Sequence, residues 1–331
     1  MKLKYLTLGA ALLAGLPAYA HGPKSAHGGR VSDAGAYHAE LVVKDNAIEV
    51  FLTGEDDKPI DPKGFKGVAI FNVGGKAERI PLAPSEKSTL SGTAPAALPA
   101  ARSLTGTVGE HTLTSSALGA PRRLTVYRPP GHQGPLPACV LVDGEATRSF
   151  AEVLEPAILA GTVPPVLLVG VHNAVDPASP GPDRRAQEYV PGHHRRRFDA
   201  HLRFVTDEVI PWASGQWGVA AGPWIAAGFS NGGAWAVAAA QRHPEVFAAV
   251  AAFSVGVVPH RITTRARAAR VRHYLAAGTL EPGFRQATRQ WAQRLQRAGL
   301  DCRHHEWVGG HDHLWWAQQL PSALDWLLTQ P

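Results

Sequence analysis

Five apolar runs in the last two thirds of this 331-residue chain constrain its fold more than any other feature. Four are continuous, at 138–142, 166–171, 224–228 and 247–253, and the fifth, at 271–277, is mostly apolar. Apolar residues that do not alternate with polar ones are typical of strands buried on both faces of a parallel sheet. Segments with helical spacing follow three of the runs, at 198–213, 232–242 and 285–298. This alternation predicts an α/β fold with a mainly parallel sheet over 106–331, and an alternating strand at 123–127 is expected at its antiparallel edge.

The region before this domain has a different pattern. Short strands are predicted at 39–43, 48–52 and 67–72, with turn residues at 45–46 and 74–75 between them. Without a helical period, residues 21–91 are predicted to form a small all-β domain. Residues 92–105 are rich in Ala, Pro, Ser and Thr, a composition typical of a linker.

The first 20 residues have the pattern of a secretory signal peptide. Lys2 and Lys4 precede a short apolar stretch at 5–16, and small residues at 18 and 20 are those preferred before a cleavage site. The apolar stretch is shorter than the about 20 residues that cross a bilayer. We therefore expect residues 1–20 to be removed, a periplasmic or secreted protein, and no membrane span after cleavage. The net charge of +6 comes without a nucleic-acid-binding motif, so no nucleic-acid partner is expected.

A nucleophile motif lies between the third apolar run and the helix that follows it. The sequence Gly-Phe-Ser-Asn-Gly-Gly at 228–233 contains G-x-S-x-G in a strand-to-helix context. The glycines permit a sharp turn that exposes the Ser230 hydroxyl, and the helix supplies backbone N–H groups for a developing oxyanion. Ser230 is therefore the candidate nucleophile. The alternative is a purely structural turn.

A serine nucleophile needs a base and an acid that orients the base, and in this architecture they follow the serine in the order acid, histidine. Glu281 lies just beyond the strand predicted at 271–277, and His311 follows the strand predicted at 303–308. The carboxyl ends of parallel strands meet at one edge of a sheet, where sites of open α/β sheets lie. The weaker alternatives are His313, His304 or His305 as the base and Asp301 or Asp312 as the acid.

Residues 106–331 resemble the esterase D and enterochelin-esterase-like family of α/β-hydrolases, and more distantly the mycolyltransferases. The matching stretches are 126–130, 141–144, 164–165, 185–189, 228–233, 243–247, 278–281 and 309–312. The resemblance implies a serine hydrolase that cleaves small carboxylic esters through an acyl-enzyme, with no cofactor for catalysis, and the signal-peptide pattern implies that it is exported. It implies Ser230 as nucleophile, His311 as base and Glu281 as orienting acid. One departure is Asn231, where many relatives carry methionine.

The resemblance to this family also indicates which residues bind the oxyanion and which line the pocket. The backbone N–H of Asn231 is the first expected oxyanion donor, and the second comes from the loop after the strand at 138–142, at Gly144 or Glu145. Arg185, Glu188 and Tyr189 match an R-x-x-E-Y pattern of the family. We expect Arg185 and Glu188 to form an ion pair that shapes the pocket wall.

Histidines near the mature amino terminus suggest a second class of function. Cleavage after residue 20 would expose His21, whose α-amine and imidazole together suit Cu(II), and His27 and His38 lie nearby. Copper or another transition metal on the N-terminal domain is thus one hypothesis. The alternatives to an esterase are an exported metal-binding or interaction protein with a catalytically idle hydrolase scaffold, and an acyltransferase of the same fold.

Cys139 and Cys302 are the two cysteines of the sequence. An α/β-hydrolase sheet would place them several strands apart, at about 4.8 Å per strand. That separation exceeds the roughly 7 Å between Cα atoms that a disulfide can bridge. Two free thiols are therefore expected, even in an oxidising compartment.

Overall fold

The computed structural model of the protein describes residues 4–9, 26–27, 29–33, 37–54, 56, 58–73, 76–95, 104–174 and 184–329. The chain divides into two compact units, Met1–Arg102 and Ser103–Pro331. Among the described residues, no helix is both long and apolar enough to cross a membrane.

The first unit is built on a seven-stranded sheet. Its strands are β1 Lys4–Gly9, β2 Arg30–Asp33, β3 Tyr37–Lys44, β4 Ala47–Gly54, β5 Phe65–Val73, β6 Lys76–Pro84 and β7 Leu90–Thr93. The order is β1-β5-β6-β7-β4-β3-β2; β2 to β7 pair antiparallel, and β1 lies parallel beside β5. Strand β4 buries Ile48, Val50 and Leu52 and exposes the residues between them more, the period of a strand with one covered face. The β structure predicted for the N-terminal region is confirmed, as a separate sheet that is antiparallel from β2 to β7, whereas cleavage of a signal peptide stays a prediction.

The end of this sheet lies further along the chain than the sequence suggested. Strand β7 continues through Thr93, and Ala94 is buried, with its N–H donating to the Asn46 carbonyl at 2.8 Å. Gly92 and Thr93, assigned from composition to the linker, thus belong to the sheet, and Ala94 packs against it. At the other end, Glu155 accepts the backbone N–H groups of Thr105 and Gly106 at 2.7 and 2.8 Å. Residues 96–103 lie outside the described residues.

The second unit contains an eight-stranded mixed sheet. Its strands are β8 Thr107–Ser115, β9 Ala120–Arg128, β10 Ala138–Val142, β11 Leu167–Val171, β12 Trp224–Phe229, β13 Phe247–Phe253, β14 Arg272–Gly278 and β15 Cys302–Trp307. They are arranged in the order β15-β14-β13-β12-β10-β11-β9-β8. The strands from β10 to β15 pair parallel with one another, and β9 pairs antiparallel with both β11 and β8.

The strand at 123–127 was predicted at the edge of this sheet, but it does not form that edge. It is part of β9, and β8 pairs with it along its whole length and occupies the edge. Strand β8 was missed in the sequence because its residues are polar or half-buried, as suits an edge that must not pair further.

Helices cover both faces of the sheet. They are α1 Thr147–Leu159, α2 Arg184–Tyr189, α3 Arg195–Arg203, α4 Ile210–Trp217, α5 Asn231–Arg242, α6 Thr264–Ala268, α7 Pro282–Arg297 and α8 His313–Thr329, and a π-helical segment, Phe204–Val209, joins α3 to α4. Along β10, Ala138, Val140 and Val142 belong to the core on the face covered by α5 and α7, whereas Cys139 and Leu141 belong to the core on the face covered by α1 and α8. Burial on both faces explains why the apolar runs do not alternate.

The strand order keeps the two cysteines apart, as expected. Cys139 is on β10 and Cys302 on β15, with β12, β13 and β14 between them, and both are free thiols. Burial raises the pKa of Cys302 to about 12 and lifts that of Cys139 well above its ordinary value. Neither sulfur is therefore a ready thiolate.

We predict two titratable thiols in the denatured, unreduced protein and almost none in the folded protein. Burial and the raised pKa of each thiol both suppress the reactive thiolate. Ellman's reagent, added with and without guanidinium chloride, measures both numbers. Zero thiols after denaturation, at monomeric mass, would contradict the strand order.

Candidate active site

A strained turn between β12 and α5 presents the Ser230 hydroxyl. Ser230 has φ 56° and ψ −122°, a conformation that residues with a side chain rarely adopt. Two glycines make the turn sterically possible. A Cβ on Gly228 would lie 2.4 Å from the carbonyl oxygen of Gly232, and one on Gly232 would lie 3.0 Å from a carboxylate oxygen of Asp143. The Ser230 N–H donates to the Phe253 carbonyl at 2.9 Å, which anchors the turn to β13.

Three residues that the sequence singled out meet at this turn. Nε2 of His311 lies 2.9 Å from Oγ of Ser230, and Nδ1 of His311 lies 2.7 Å from Oε2 of Glu281. Each residue follows the carboxyl end of a parallel strand: Ser230 follows β12, Glu281 follows β14 and His311 follows β15. The connected serine, imidazole and carboxylate have the geometry in which an imidazole can take a proton from the hydroxyl.

Glu281 is buried and held by hydrogen bonds of its own. Its Oε1 accepts the backbone N–H of Gly278 at 2.6 Å and the hydroxyl of Ser254. Ser254 in turn accepts from Nε1 of Trp316 at 2.6 Å. These bonds leave Oε2 directed at His311. Ser254 and Trp316 were missed in the sequence, although Ser254 directly follows β13 at the same sheet edge.

Two aromatic rings fix the plane of the His311 imidazole. The ring of Phe284, in the first turn of α7, stacks on it with centroids 4.0 Å apart, and Trp316 meets it edge-on at 4.7 Å. Neither ring was identified from the sequence, since nothing local indicates that a residue of α7 lies over a loop after β15. The imidazole is thereby restrained on two sides besides its polar contacts.

The alternative bases and acids have other contacts. Nε2 of His313 lies 3.1 Å from Oγ of Ser149, and His304 and His305 lie within β15. The carboxylate of Asp312 accepts the backbone N–H of Leu314 at 2.9 Å, at the start of α8, and Asp301 precedes β15. The contacts to Ser230 and Glu281 therefore favour His311 over the other candidates.

The loop after β10 packs beside the turn that carries Ser230. Asp143 has φ 62°, and Gly144–Ala146 form one 3₁₀ turn. A Cβ on Gly144 would lie 2.4 Å from the Gly170 backbone, so this loop also depends on a glycine. The carboxylate of Asp143 reaches Gly232, the residue after Asn231, and this places the loop next to the start of α5. The backbone N–H of Glu145 also faces its own carboxylate.

The buried carboxylate of Asp143 joins this loop to α2. It accepts from Nε and Nη2 of Arg185 at 2.5 and 2.6 Å and from Nδ2 of Asn173 at 3.2 Å. The Asp143 N–H donates to the hydroxyl of buried Tyr189 at 3.1 Å. A guanidinium that binds a carboxylate through two N–H groups holds it in a defined orientation.

Glu188 has a different partner from the one that the sequence predicted. Both of its carboxylate oxygens accept from Arg122 of β9, at 2.8 Å each, and the pair is buried. The predicted ion pair between Arg185 and Glu188 is therefore wrong. A spacing of three residues on a helix permits that contact, but each side chain has a better-oriented partner on another element.

Two ionisable side chains at or beside this loop, Glu145 and His172, have shifted pKa values. Burial raises the pKa of Glu145 to about 7, and nearby Asp143 adds to this, whereas the backbone N–H groups of Glu145 and Asn173 oppose it. Burial, with Arg123 and Arg122, lowers the pKa of His172 to about 4. Oε1 of Glu145 lies 3.7 Å from Nδ1 of His172. At neutral pH His172 is uncharged, and Glu145 titrates there.

Of the histidines proposed to bind metal, His27 has a carboxylate and an aromatic ring as its neighbours. Nδ1 of His27 lies 2.9 Å from Oε2 of Glu40, and its ring stacks on Phe51 at 3.5 Å. No group of three or more His, Cys, Asp or Glu side chains suited to a metal exists among the described residues. His38 lies on β3, and His21 falls outside the described residues.

Comparison with known proteins identifies the family of the chain. The model of the Esterase family matches residues 115–327, and the chain belongs to that family. It is an esterase, a carboxylic ester hydrolase, as the motifs predicted. No curated protein with significant sequence similarity was found.

Solved structures share the fold. A ferulic acid esterase is 20% identical, with 68% of this chain and 98% of that chain covered and a TM-score of 0.56. The enterochelin esterase from Shigella flexneri is 19% identical over 86% and 78% of the two chains, with a TM-score of 0.58. An IroE-like serine hydrolase from Shewanella oneidensis is 19% identical over 67% and 80%, with a TM-score of 0.56. The second unit thus has an α/β-hydrolase-like fold.

We predict that Gly228→Ala destabilises the protein by about 2 kcal/mol or more, because the added Cβ overlaps the Gly232 backbone. The matched control is Gly215→Ala, on exposed α4, where a Cβ meets nothing within 4 Å. Helix propensity should make that control more stable by about 0.5–1 kcal/mol. Denaturant unfolding measures both variants. Equal stabilities would contradict the close approach at the turn.

We predict that Glu145→Gln stabilises the protein at pH 8 but not at pH 4. The pKa of Glu145 is about 7 in the folded protein, above its ordinary value of 4.5. Between these values the folded state holds a proton that the unfolded state releases, so the wild type loses stability as pH rises through this window. Glutamine removes the loss, which amounts to about 3 kcal/mol. Unfolding curves at the two pH values measure the difference.

Proposed function

We propose that this esterase is an exported serine hydrolase that cleaves small carboxylic esters through an acyl-enzyme, with Ser230, His311 and Glu281 as its catalytic residues. The observation that carries the proposal is the connected pair of contacts, 2.9 Å from Ser230 to His311 and 2.7 Å from His311 to Glu281. Export rests on the signal-peptide pattern of residues 1–20.

The first half-reaction forms the acyl-enzyme. Oγ of Ser230 attacks the ester carbonyl carbon while Nε2 of His311 takes the hydroxyl proton. Glu281 accepts the Nδ1 hydrogen bond, which selects the required tautomer and stabilises the imidazolium. The tetrahedral intermediate collapses when the carbon–oxygen bond to the alcohol breaks and His311 returns the proton to the departing oxygen.

The second half-reaction regenerates Ser230. Water attacks the acyl carbonyl, His311 takes its proton, and the serine oxygen leaves with that proton. In both halves the oxyanion is bound by the backbone N–H of Asn231 and by one from Gly144 or Glu145, donors that cost no reorganisation. The ion pairs and hydrogen bonds of Asp143, Arg185, Glu188 and Tyr189 hold the loop that carries the second donor. All these steps use groups of this chain, and the partner is a small ester.

Two other functions are distinguishable from hydrolysis. In an acyltransferase, an alcohol other than water would accept the acyl group from Ser230. An idle scaffold with an interaction or metal-binding role would leave Ser230 unreactive. The aligned imidazole and the buried, hydrogen-bonded Glu281 favour an active enzyme, because such an arrangement has no evident structural benefit.

We predict that Ser230→Ala and His311→Ala each lower kcat for p-nitrophenyl butyrate by about 10³-fold or more. Ser230→Ala removes the nucleophile, and His311→Ala removes the base that takes its proton. A fluorophosphonate probe should label the wild type and leave Ser230→Ala unlabelled. Failure of the wild type to react with either reagent would defeat the proposal.

The control for His311→Ala is His313→Ala, two residues further along. His313 contacts Ser149 rather than Ser230, so its loss should lower kcat far less than the loss of His311. A larger effect at His313 would show that the base is assigned wrongly. Adding a low concentration of methanol to the assay tests transfer. A hydrolase should still release mainly butyrate, because water far outnumbers methanol, whereas an acyltransferase should release mainly methyl butyrate.

A further inference from the structure

Exposed apolar side chains concentrate around the proposed catalytic residues. Among the described residues, four large apolar side chains are exposed: Leu159, Val257, Leu280 and Val308, at 62, 44, 52 and 47%. The last three follow β13, β14 and β15, adjacent strands of the sheet, at the edge that carries Ser230. Single exposed apolar residues are ordinary, but a group of them beside a reactive site indicates a ligand-binding surface.

The loop that carries Val257 contacts the aromatic ring that covers His311. Gly256, the residue before Val257, lies so close to Phe284 that a Cβ on it would be 2.8 Å from an atom of that ring. The same ring stacks on His311 at 4.0 Å, so Phe284 lies between the loop after β13 and the imidazole.

Leu280 and Val308 lie on the two loops that carry the acid and the base. The Leu280 N–H donates to the carbonyl of Gly309 at 3.0 Å, so the two loops are in contact. Leu280 directly precedes Glu281, and Val308 directly precedes Gly309. Leu280 is thus adjacent to the acid and Val308 is three residues before the base, and neither takes part in the His311 hydrogen bonds.

The alcohol that leaves in the reaction must lie on the side of Ser230 formed by the loops after β13, β14 and β15. His311 must return its proton to the leaving oxygen, so the alcohol lies on the imidazole side of Ser230. The opposite side, toward β10 and β11, is charged and polar, with Asp143, Arg185 and Glu145. The strand order β13-β12-β10-β11 separates the two sides across Ser230.

We propose that Val257, Leu280, Val308 and Phe284 form an apolar subsite for the leaving group, and that the enzyme prefers esters of apolar alcohols. This inference rests on the proposed function, since it takes His311 as the group that protonates the alcohol. It locates the apolar selectivity on the alcohol and not on the acyl group.

Two series of esters test the assignment. In the first, the acyl group is acetyl and the alcohol is ethanol, butanol or hexanol, which differ little in acidity. In the second, the alcohol is ethanol and the acyl group has two, four or six carbons. We expect kcat/KM of the wild type to rise with alcohol length more steeply than with acyl length.

The double variant Leu280→Ser/Val308→Ser should flatten the alcohol series. We expect kcat/KM for hexyl acetate to fall about three- to tenfold, with a smaller loss for shorter alcohols, because less apolar area is covered. Leu159→Ser is the matched control. Leu159 ends α1, about 18 Å along that helix from its start near the site, so both series should be unchanged.

The outcomes separate this inference from the proposed function. Wild-type enzyme that reacts with the fluorophosphonate probe but shows a flat alcohol series overturns the subsite alone. The subsite is also overturned if the double variant loses the acyl dependence instead, or if Leu159→Ser has an equal effect. An unlabelled, inactive wild type overturns the proposed function itself. Probe labelling of the double variant shows that its active site is intact.

Discussion

The close approach of the backbone at Gly228 and Gly232 is the constraint on which the functional arrangement depends. It lets the chain turn from β12 into α5 through one strained residue, so that Ser230 stands clear of the sheet edge. Strain of this kind persists only where the surroundings over-determine the conformation. Here the Ser230 N–H is bound by Phe253, and buried strands flank β12 on both sides. The rigidity of the sheet is what maintains the reactive geometry.

The buried carboxylates of Asp143 and Glu188, near the turn, each have a charged or polar partner. Asp143 is held by Arg185 and Asn173, and Glu188 by Arg122, so neither carboxylate is buried without a partner. Removing one partner of such a pair is costly because it leaves an uncompensated charge. These pairs connect the loop after β10 to α2 and β9. The loop proposed to supply the second oxyanion donor is therefore fixed by electrostatics as well as by packing.

Support for the imidazole comes from elements distant in sequence. Ser254 after β13 and Trp316 of α8 hold Glu281, while Phe284 of α7 covers His311. Preorganisation of this kind matters because the imidazole must stay aligned while it carries a proton in each direction. Phe284 has two roles, since it restrains His311 and continues the apolar surface of the proposed leaving-group subsite.

The sequence by itself determined the central strands and the three residues of the Ser230 site. Strands buried on both faces are continuous apolar runs, and the ends of parallel strands converge at one edge, so order along the chain was enough to select Ser230, Glu281 and His311. The strands β2, β6, β7 and β8 were missed. Strands β2 and β7 have only four residues each, and charged or polar residues interrupt the apolar ones in β6 and β8. Only the tertiary structure decided which charges pair, as with Arg185 and Asp143, and which side chains support Glu281. Those contacts join residues far apart in the chain. The packing of the whole sheet sets their distances, and no local sequence pattern predicts them.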